Sequence, residues 1–153
     1  IKNYHNVYLY MVGKNIDLSN KELKNFITNL KIEKKVILLN EKKNLLEFYN
    51  AIDILVLTSI AESFPNVVAE SMLCSTPVLS SNVGCSKRII KDCGFIINNN
   101  NYKSIFYGLK KTINIFENEK KKWNYLKKQS RLRIKKNFSI PKMSNAYFNS
   151  WVS

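Results

Sequence analysis

Two carboxylates eight positions apart, Glu62 and Glu70, enclose the stretch of this sequence with the clearest potential for chemistry. Pro65 lies between them, and proline has the fixed φ that is favoured where a helix begins. The first amides of a helix have no intrahelical acceptor and lie at the positive end of its dipole, so they favour an anion. Carboxylates accept hydrogen bonds from hydroxyl groups. The segment therefore predicts a site for a diphosphate held between two groups that bind sugar hydroxyls.

Strand and helix patterns alternate through the first two thirds of the chain. Ser19 and Glu22 have the spacing of a capping box and predict the start of a helix after the first strand. From residue 102 onward the pattern is helical only. Strands are expected at 7–12, 36–39, 54–57, 77–80 and 95–97, a short helix at 45–49, and longer helices at 65–74, 102–116, 119–136 and 141–151.

This alternation predicts an α/β fold, a Rossmann-like doubly wound parallel sheet followed by C-terminal helices. In such a sheet, ligands bind outside the carboxyl ends of the strands. Gly13, Asn40, residues 59–66 and residues 81–85 all follow predicted strands. We therefore expect these residues to lie at one edge of the sheet.

The segment around the two carboxylates resembles the E-x7-E motif of glycosyltransferase family 4, retaining enzymes with the GT-B architecture. The similarity continues through Glu70-Ser-Met-Leu-Cys-Ser-Thr-Pro-Val-Leu79, which resembles the family's E-A-M-A-x-G-x-P-V. Four further segments resemble family motifs: Leu9-Tyr-Met-Val-Gly13, Tyr49-Asn-Ala-Ile-Asp53, Asn82-Val-Gly-Cys85 and Ile90-Lys-Asp-Cys-Gly94. Cys85 stands where one branch of the family has Asp.

The resemblance implies roles for individual residues. Glu62 would be the catalytic residue, bonding hydroxyls of the donor sugar and stabilising charge that develops at its ring. Glu70 would hold the ribose hydroxyls of the nucleotide. Asn40 would contact the base through its backbone or be an ordinary turn residue, two interpretations of equal weight. The donor-binding set is Glu70, Ser63, Phe64, Pro65, Asn66, Val67, Gly13 and Asn40, with the residues between the two glutamates acting mainly through their backbone.

The implied reaction is retaining transfer of a hexose or related sugar from a nucleotide-diphospho-sugar, such as a UDP- or GDP-sugar, to a glycan or lipid-linked acceptor. Capsule or lipopolysaccharide assembly would be its setting, and neither a metal nor a further cofactor is expected. Residues 1–153 would form the donor-binding domain, truncated at its N-terminus. We expect the acceptor domain, its partner, and the family's Arg and Lys pair to precede Ile1.

Composition narrows the alternatives. The net charge is +14, and much of it lies at 120–136. A solvated helix face and a contact with anionic lipid headgroups both explain this charge; no motif of a nucleic-acid-binding protein accompanies it, and no nucleic acid is expected. Cys74, Cys85 and Cys93 lack the spacing of a zinc site, and His5 is the single histidine, which excludes a histidine-based triad. A cytoplasmic location fits, with a peripheral position on the inner face of the plasma membrane left open.

Two competing functions remain. One is a non-catalytic, basic Rossmann-like module that binds membranes or polyanions, which explains the charge but not the matched motifs. The other is a sugar-nucleotide epimerase of GT-B architecture.

The last predicted helix carries an apolar stripe formed by Tyr147, Phe148 and Trp151. We expect this stripe to pack on the chain's own sheet or to be buried in a self-contact.

Overall fold

The computed structural model describes Tyr4 and residues 6–152. The chain divides into two compact units, Ile1–Leu45 and Leu46–Ser153, which are described separately. His5 and Ile1 lie outside the described residues. The assignment of all 153 residues to a donor-binding domain stays a prediction.

The first unit holds two parallel strands and one longer helix. Strand β1 (Leu9–Met11) pairs in parallel with β2 (Val36–Leu38), and helix α1 (Lys21–Asn29) connects them, followed by a short 3-10 turn at Glu33–Lys35. The predicted capping box is wrong. The cap of α1 is Asn20, whose side-chain oxygen accepts a 3.0 Å hydrogen bond from the Leu23 amide.

Ser19 instead forms hydrogen bonds with Asp17, in the turn that precedes α1. Its amide and hydroxyl both donate to Asp17 Oδ1, at 2.8 and 2.5 Å. These hydrogen bonds lower the pKa of the Asp17 carboxyl. The turn before α1 is therefore closed by Asp17, and the helix begins one residue later than the Ser19 pattern predicted.

The second unit is a three-stranded parallel sheet covered by helices. Strands β3 (Leu55–Leu57), β4 (Val78–Ser81) and β5 (Phe95–Ile97) lie in the order β3-β4-β5. Its helices are α2 (Leu46–Ala51), α3 (Asn66–Leu73), α4 (Ser86–Ile90), α5 (Tyr102–Asn118), α6 (Lys120–Asn137) and α7 (Ile140–Val152). These bounds agree with the predicted elements to within two residues, apart from α4, for which no bounds were predicted.

The core of the second unit lies between β4 and helices α3, α4 and α6. Every residue of β4 is buried, as expected for a central parallel strand. One apolar cluster contains Val68, Met72, Val78, Ile89, Ile90 and Ile134, and a second contains Ile115, Trp123 and Leu126. Helix α6 contributes to both clusters, so it is a core element of this unit.

Helix α6 buries one face and exposes its lysines. Trp123, Leu126, Ser130 and Ile134 recur every three or four residues and are buried, whereas the lysines of the helix are exposed. This arrangement agrees with a solvated basic face, and the lipid contact stays a prediction. No helix among residues 6–152 is long and apolar enough to cross a bilayer.

Arg133 ties α6 to the end of α4. Its Nε donates to the Ile89 carbonyl at 2.6 Å, and its Nη2 donates to the Arg88 carbonyl. These carbonyls belong to the last turn of α4, where carbonyls lack intrahelical partners. One turn earlier, Ser130 Oγ donates to the Cys93 carbonyl at 2.8 Å. The segment between α4 and β5 is thus held by polar groups of α6.

We expect Arg133→Met to lower the free energy of unfolding by about 1–3 kcal/mol, because it leaves the partly buried carbonyl of Ile89 without a donor. Urea denaturation measures the effect. Lys128→Met is the matched control, since Lys128 lies on the exposed face of the same helix. Equal effects of the two substitutions would show that the α4 carbonyls do not depend on Arg133.

Of the two arrangements expected for the last helix, packing on the sheet is wrong, and burial in a self-contact stays a prediction. All residues of α7 from Ile140 to Val152 are exposed, and Trp151 keeps 84% of its surface. Tyr147 and Phe148 are more than half exposed. Within this chain, the apolar stripe of α7 therefore belongs to neither of the two core clusters.

The predicted fold class is confirmed. All strand pairs among the described residues are parallel, and the connections between paired strands contain helices. The first strand is not fully buried, because Tyr10 in the middle of β1 is 47% exposed.

Candidate functional site

Glu62 lies in the loop that follows β3. Its side chain is exposed, and Oε1 accepts a 2.9 Å hydrogen bond from Ser59 Oγ. The Ser59 carbonyl accepts in turn from Ser81 Oγ at 2.8 Å and from Asn100 Nδ2 at 3.0 Å. The loops after β3, β4 and β5 are thereby joined at the carboxyl edge of the sheet, where the fold class places ligands.

The loop after β4 supports the backbone of Glu62 and Ser63. The Cys85 amide donates to the Ser63 carbonyl at 3.0 Å. Gly84 adopts a φ of +48°, and a Cβ at this position would overlap the carbonyl oxygens of Glu62 and Ser63. Only glycine permits both this backbone conformation and this close approach. The segment that resembled a family motif, 82–85, is therefore a backbone support for the Glu62 loop.

Helix α3 begins directly after Pro65, as the sequence predicted to within one residue. Pro65 is buried with φ −73°, and its carbonyl accepts from the Val68 amide at 3.0 Å. Asn66 and Val67 are the first two residues of the helix, whose amides have no intrahelical acceptor. The start of α3 can therefore bind an anion through backbone groups.

Phe64 lies next to the start of α3, and its ring packs against Phe138. Its ring lies 6.0 Å from the ring of Phe138, centroid to centroid, and the guanidinium carbon of Arg133 lies 5.8 Å from the centroid of the Phe138 ring. Phe64 remains 41% exposed. The end of α6 thus supports the side chain of Phe64 while leaving part of its ring open to solvent.

Glu70 lies one turn after Asn66 on the same exposed face of α3. Its Oε2 accepts a 2.8 Å hydrogen bond from the hydroxyl of Tyr49, a residue of α2. Neighbouring residues Val68, Ser71 and Met72 point into the core. The structure therefore brings Glu70, Asn66 and Val67 together on one helix, at the edge where the Glu62 loop begins.

The two remaining predicted donor-binding residues lie in the first unit. Gly13 donates its amide to the Asn40 carbonyl at 3.1 Å, so these two residues contact each other. Asn40 has a φ of +53°, and its own amide donates to the Ile16 carbonyl at 2.8 Å. This geometry is that of a turn residue. The donor-binding roles of Gly13 and Asn40 stay predictions.

Several residues of this region had no individual role predicted from the sequence. Tyr49 was noted within a motif but without a role, and Gly84 was noted without its close approach to Glu62. Ser81 and Asn100 contact the Ser59 carbonyl across 22 and 41 positions of sequence. Polar residues immediately after predicted strands were the available indication, because such residues meet at one edge of a parallel sheet.

No group of three metal-ligating side chains occurs within residues 6–152. Cys74, Cys85 and Cys93 are free and partly buried. Burial raises the pKa of the Cys74 and Cys93 thiols. The Cys74 thiol lies close enough to Glu70 for the carboxylate to contribute to its raised pKa.

A model of the family described as "Glycosyl transferases group 1" matches residues 1–133. The chain belongs to the group 1 glycosyltransferases. It is 33% identical over 72 residues to the N-acetyl-alpha-D-glucosaminyl L-malate synthase of Bacillus anthracis, a match that covers 46% of this chain and 19% of that enzyme.

Solved glycosyltransferase structures share the fold of this group 1 chain. The glycosyltransferase of Rickettsia africae matches 95% of the chain with a TM-score of 0.82 at 22% identity. Anabaena Alr3699/HepE in complex with UDP and glucose matches 94% of it, with a TM-score of 0.78 at 24% identity. The chain covers 39% and 40% of those two proteins and about a fifth of the curated relative. These likenesses establish a Rossmann-like half of the GT-B architecture.

Proposed function

We propose that this chain is the donor-binding half of a retaining GT-B glycosyltransferase of family 4. The enzyme transfers a hexose or related sugar from a nucleotide-diphospho-sugar to a glycan or lipid-linked acceptor of a cell-surface polysaccharide. The supporting observation is one continuous arrangement: Glu62 in the loop after β3, the open start of α3, and Glu70 one turn into that helix. Two carboxylates thus flank a backbone site for an anion.

The proposed division of roles follows from this arrangement. The amides at the start of α3 stabilise the negative charge that builds on the leaving diphosphate as the bond to the sugar breaks. Glu62 bonds sugar hydroxyls and stabilises positive charge developing at the sugar ring. Glu70 accepts hydrogen bonds from the ribose hydroxyls. The acceptor is bound by the partner domain of the enzyme, so this half by itself binds donor weakly and transfers little.

A second candidate differs only in the acceptor. The name of the curated relative, N-acetyl-alpha-D-glucosaminyl L-malate synthase, supports a small hydroxy acid as an alternative acceptor. Supplying the complete enzyme with UDP-N-acetylglucosamine and either L-malate or a lipid-linked sugar separates the two. Product with L-malate alone would replace the polysaccharide proposal and leave the donor site unchanged.

Glu70→Ala is expected to weaken binding of a nucleoside diphosphate by about 1–3 kcal/mol, the cost of losing a hydrogen bond to a charged group. Isothermal calorimetry with UDP and GDP measures this change. Glu117→Ala, in the exposed part of α5, is the matched control and should bind as the parent chain does. Unchanged binding by the Glu70 variant would remove the ribose role from this carboxylate.

A further inference from the structure

The proposed ribose carboxylate is held from its buried side by a tyrosine. The Tyr49 hydroxyl donates to Oε2 of Glu70 at 2.8 Å. Tyr49 is only 3% exposed, whereas Glu70 is exposed. A glutamate on a helix surface would otherwise sample many rotamers. The hydrogen bond therefore fixes the exposed side chain of Glu70 to the buried side chain of Tyr49.

Tyr49 is itself fixed by the core. Its carbonyl accepts a 2.6 Å hydrogen bond from Thr76 Oγ1, and Thr76 is buried directly before β4. Helix α2, which carries Tyr49, packs on α3, which carries Glu70. Burial of the ring, followed by the hydrogen bond to Glu70, raises the pKa of the tyrosine hydroxyl. A tyrosine hydroxyl is protonated at physiological pH even without this shift, so it can donate to the carboxylate.

The direction of this hydrogen bond determines what Glu70 can bind. A carboxylate has two oxygens with about four acceptor positions. Donation by Tyr49 takes up one position on Oε2, and Oε1 remains to accept hydrogen bonds from a ligand. A pair of adjacent hydroxyls, such as the 2′- and 3′-hydroxyls of ribose, fits a carboxylate whose orientation is already set.

We propose that Tyr49 is a positioning residue that orients Glu70 and thereby lets the site select nucleotides that carry both ribose hydroxyls. This inference rests on the proposed function, in which Glu70 binds ribose. It assigns to α2 a part in donor recognition that does not require Tyr49 to touch the donor. Preorganisation of this kind raises affinity by removing the cost of ordering the side chain on binding.

The test compares UDP with 2′,3′-dideoxyuridine diphosphate on the 153-residue chain and its variants. Tyr49→Phe retains the ring and removes only the hydroxyl. We expect the ratio of the two affinities to fall about three- to tenfold, the range expected from one hydrogen bond. Tyr107→Phe, an exposed tyrosine of α5, is the matched control and should keep the parent ratio. In the Glu70→Ala background, Tyr49→Phe should have no further effect on the ratio.

A purely structural role would have a different result. Ser130→Ala removes a buried hydroxyl that donates to the Cys93 carbonyl and makes no contact with Tyr49, so it should lower the melting temperature with little change in the affinity ratio. If Tyr49→Phe keeps the parent ratio while Glu70→Ala loses it, Tyr49 does not position the carboxylate and the inference is wrong, although the ribose site stands. If the parent chain and Glu70→Ala both bind the two nucleotides equally, the ribose assignment itself fails.

A second measurement applies if Tyr49→Phe does not fold. In the parent chain labelled with [13Cζ]tyrosine, the Tyr49 signal is assigned by elimination, from Tyr→Phe variants of the other seven tyrosines. We expect UDP to shift this signal and the dideoxy analogue to leave it in place. A Tyr49 signal that does not move while UDP binds would overturn the inference.

Discussion

Replacing Glu62 with glutamine should lower the rate of sugar transfer at least about a hundredfold and leave nucleotide affinity nearly unchanged. Losing a single preorganised group that acts on transition-state charge typically has an effect of this size. Glutamine keeps the length of the side chain and can still accept the hydrogen bond from Ser59. The change therefore removes the negative charge with little disturbance of the loop. Steady-state kinetics of the complete enzyme with its donor measure the effect.

The control for this experiment is Glu117→Gln, a neutralisation of equal charge on the exposed face of α5. Its turnover should match that of the parent enzyme. Because Glu62 acts in the transition state, its loss should lower kcat and kcat/KM together. A variant at position 62 that raises KM alone would make Glu62 a binding residue and would contradict its catalytic role.

Gly84→Ala should lower the free energy of unfolding by about 2–4 kcal/mol, the sum of a left-handed backbone and an overpacked contact. The φ of +48° disfavours any side chain, and the added Cβ would meet backbone oxygens of Glu62 and Ser63. The carbonyl groups of Glu62 and Ser63 cannot rotate away from the added Cβ as a side chain could. The loop that contains Glu62 must therefore move. Nucleotide binding should weaken as well. Chemical denaturation and calorimetry measure the two effects.

Gly108→Ala makes the same chemical change at a site without these constraints. Gly108 lies within α5, and its added Cβ would approach side-chain carbons of Ile97 and Leu79 at 3.3 Å. Alanine favours the helix by about 1 kcal/mol over glycine, which offsets this tight contact. Its stability should stay within about 1 kcal/mol of the parent chain. If both alanine variants behave alike, the approach of Gly84 to the Glu62 loop has no energetic significance.

The sequence predicted the elements of this fold because its apolar runs and its helical periodicity are local properties. Strand β5 has the predicted bounds, and helix α3 begins one residue after the predicted proline. The start of α1 was misplaced for a local reason. Ser19 and Asn20 are both good caps, and Asp17 engages Ser19, so Asn20 becomes the cap.

The contacts that hold the residues of the candidate site in place could not be predicted from local patterns. Tyr49 meets Glu70 across 21 positions, and their contact depends on how α2 packs on α3. The exposure of α7 is also a tertiary property, since the apolar stripe formed by Tyr147, Phe148 and Trp151 indicates burial but not the surface that provides it. Periodicity identifies which face of an element is apolar, and packing decides which polar groups are brought together.

An NMR titration of the chain with UDP tests the central claim, a donor site formed by the Glu62 loop and the start of α3. We predict that the largest amide shifts fall on residues 62–70 and on Gly84 and Cys85, and that UMP shifts them less because it lacks the second phosphate. Largest shifts in the shallow cleft lined by Cys93, Gln129 and Leu132, or along α7, would contradict the claim.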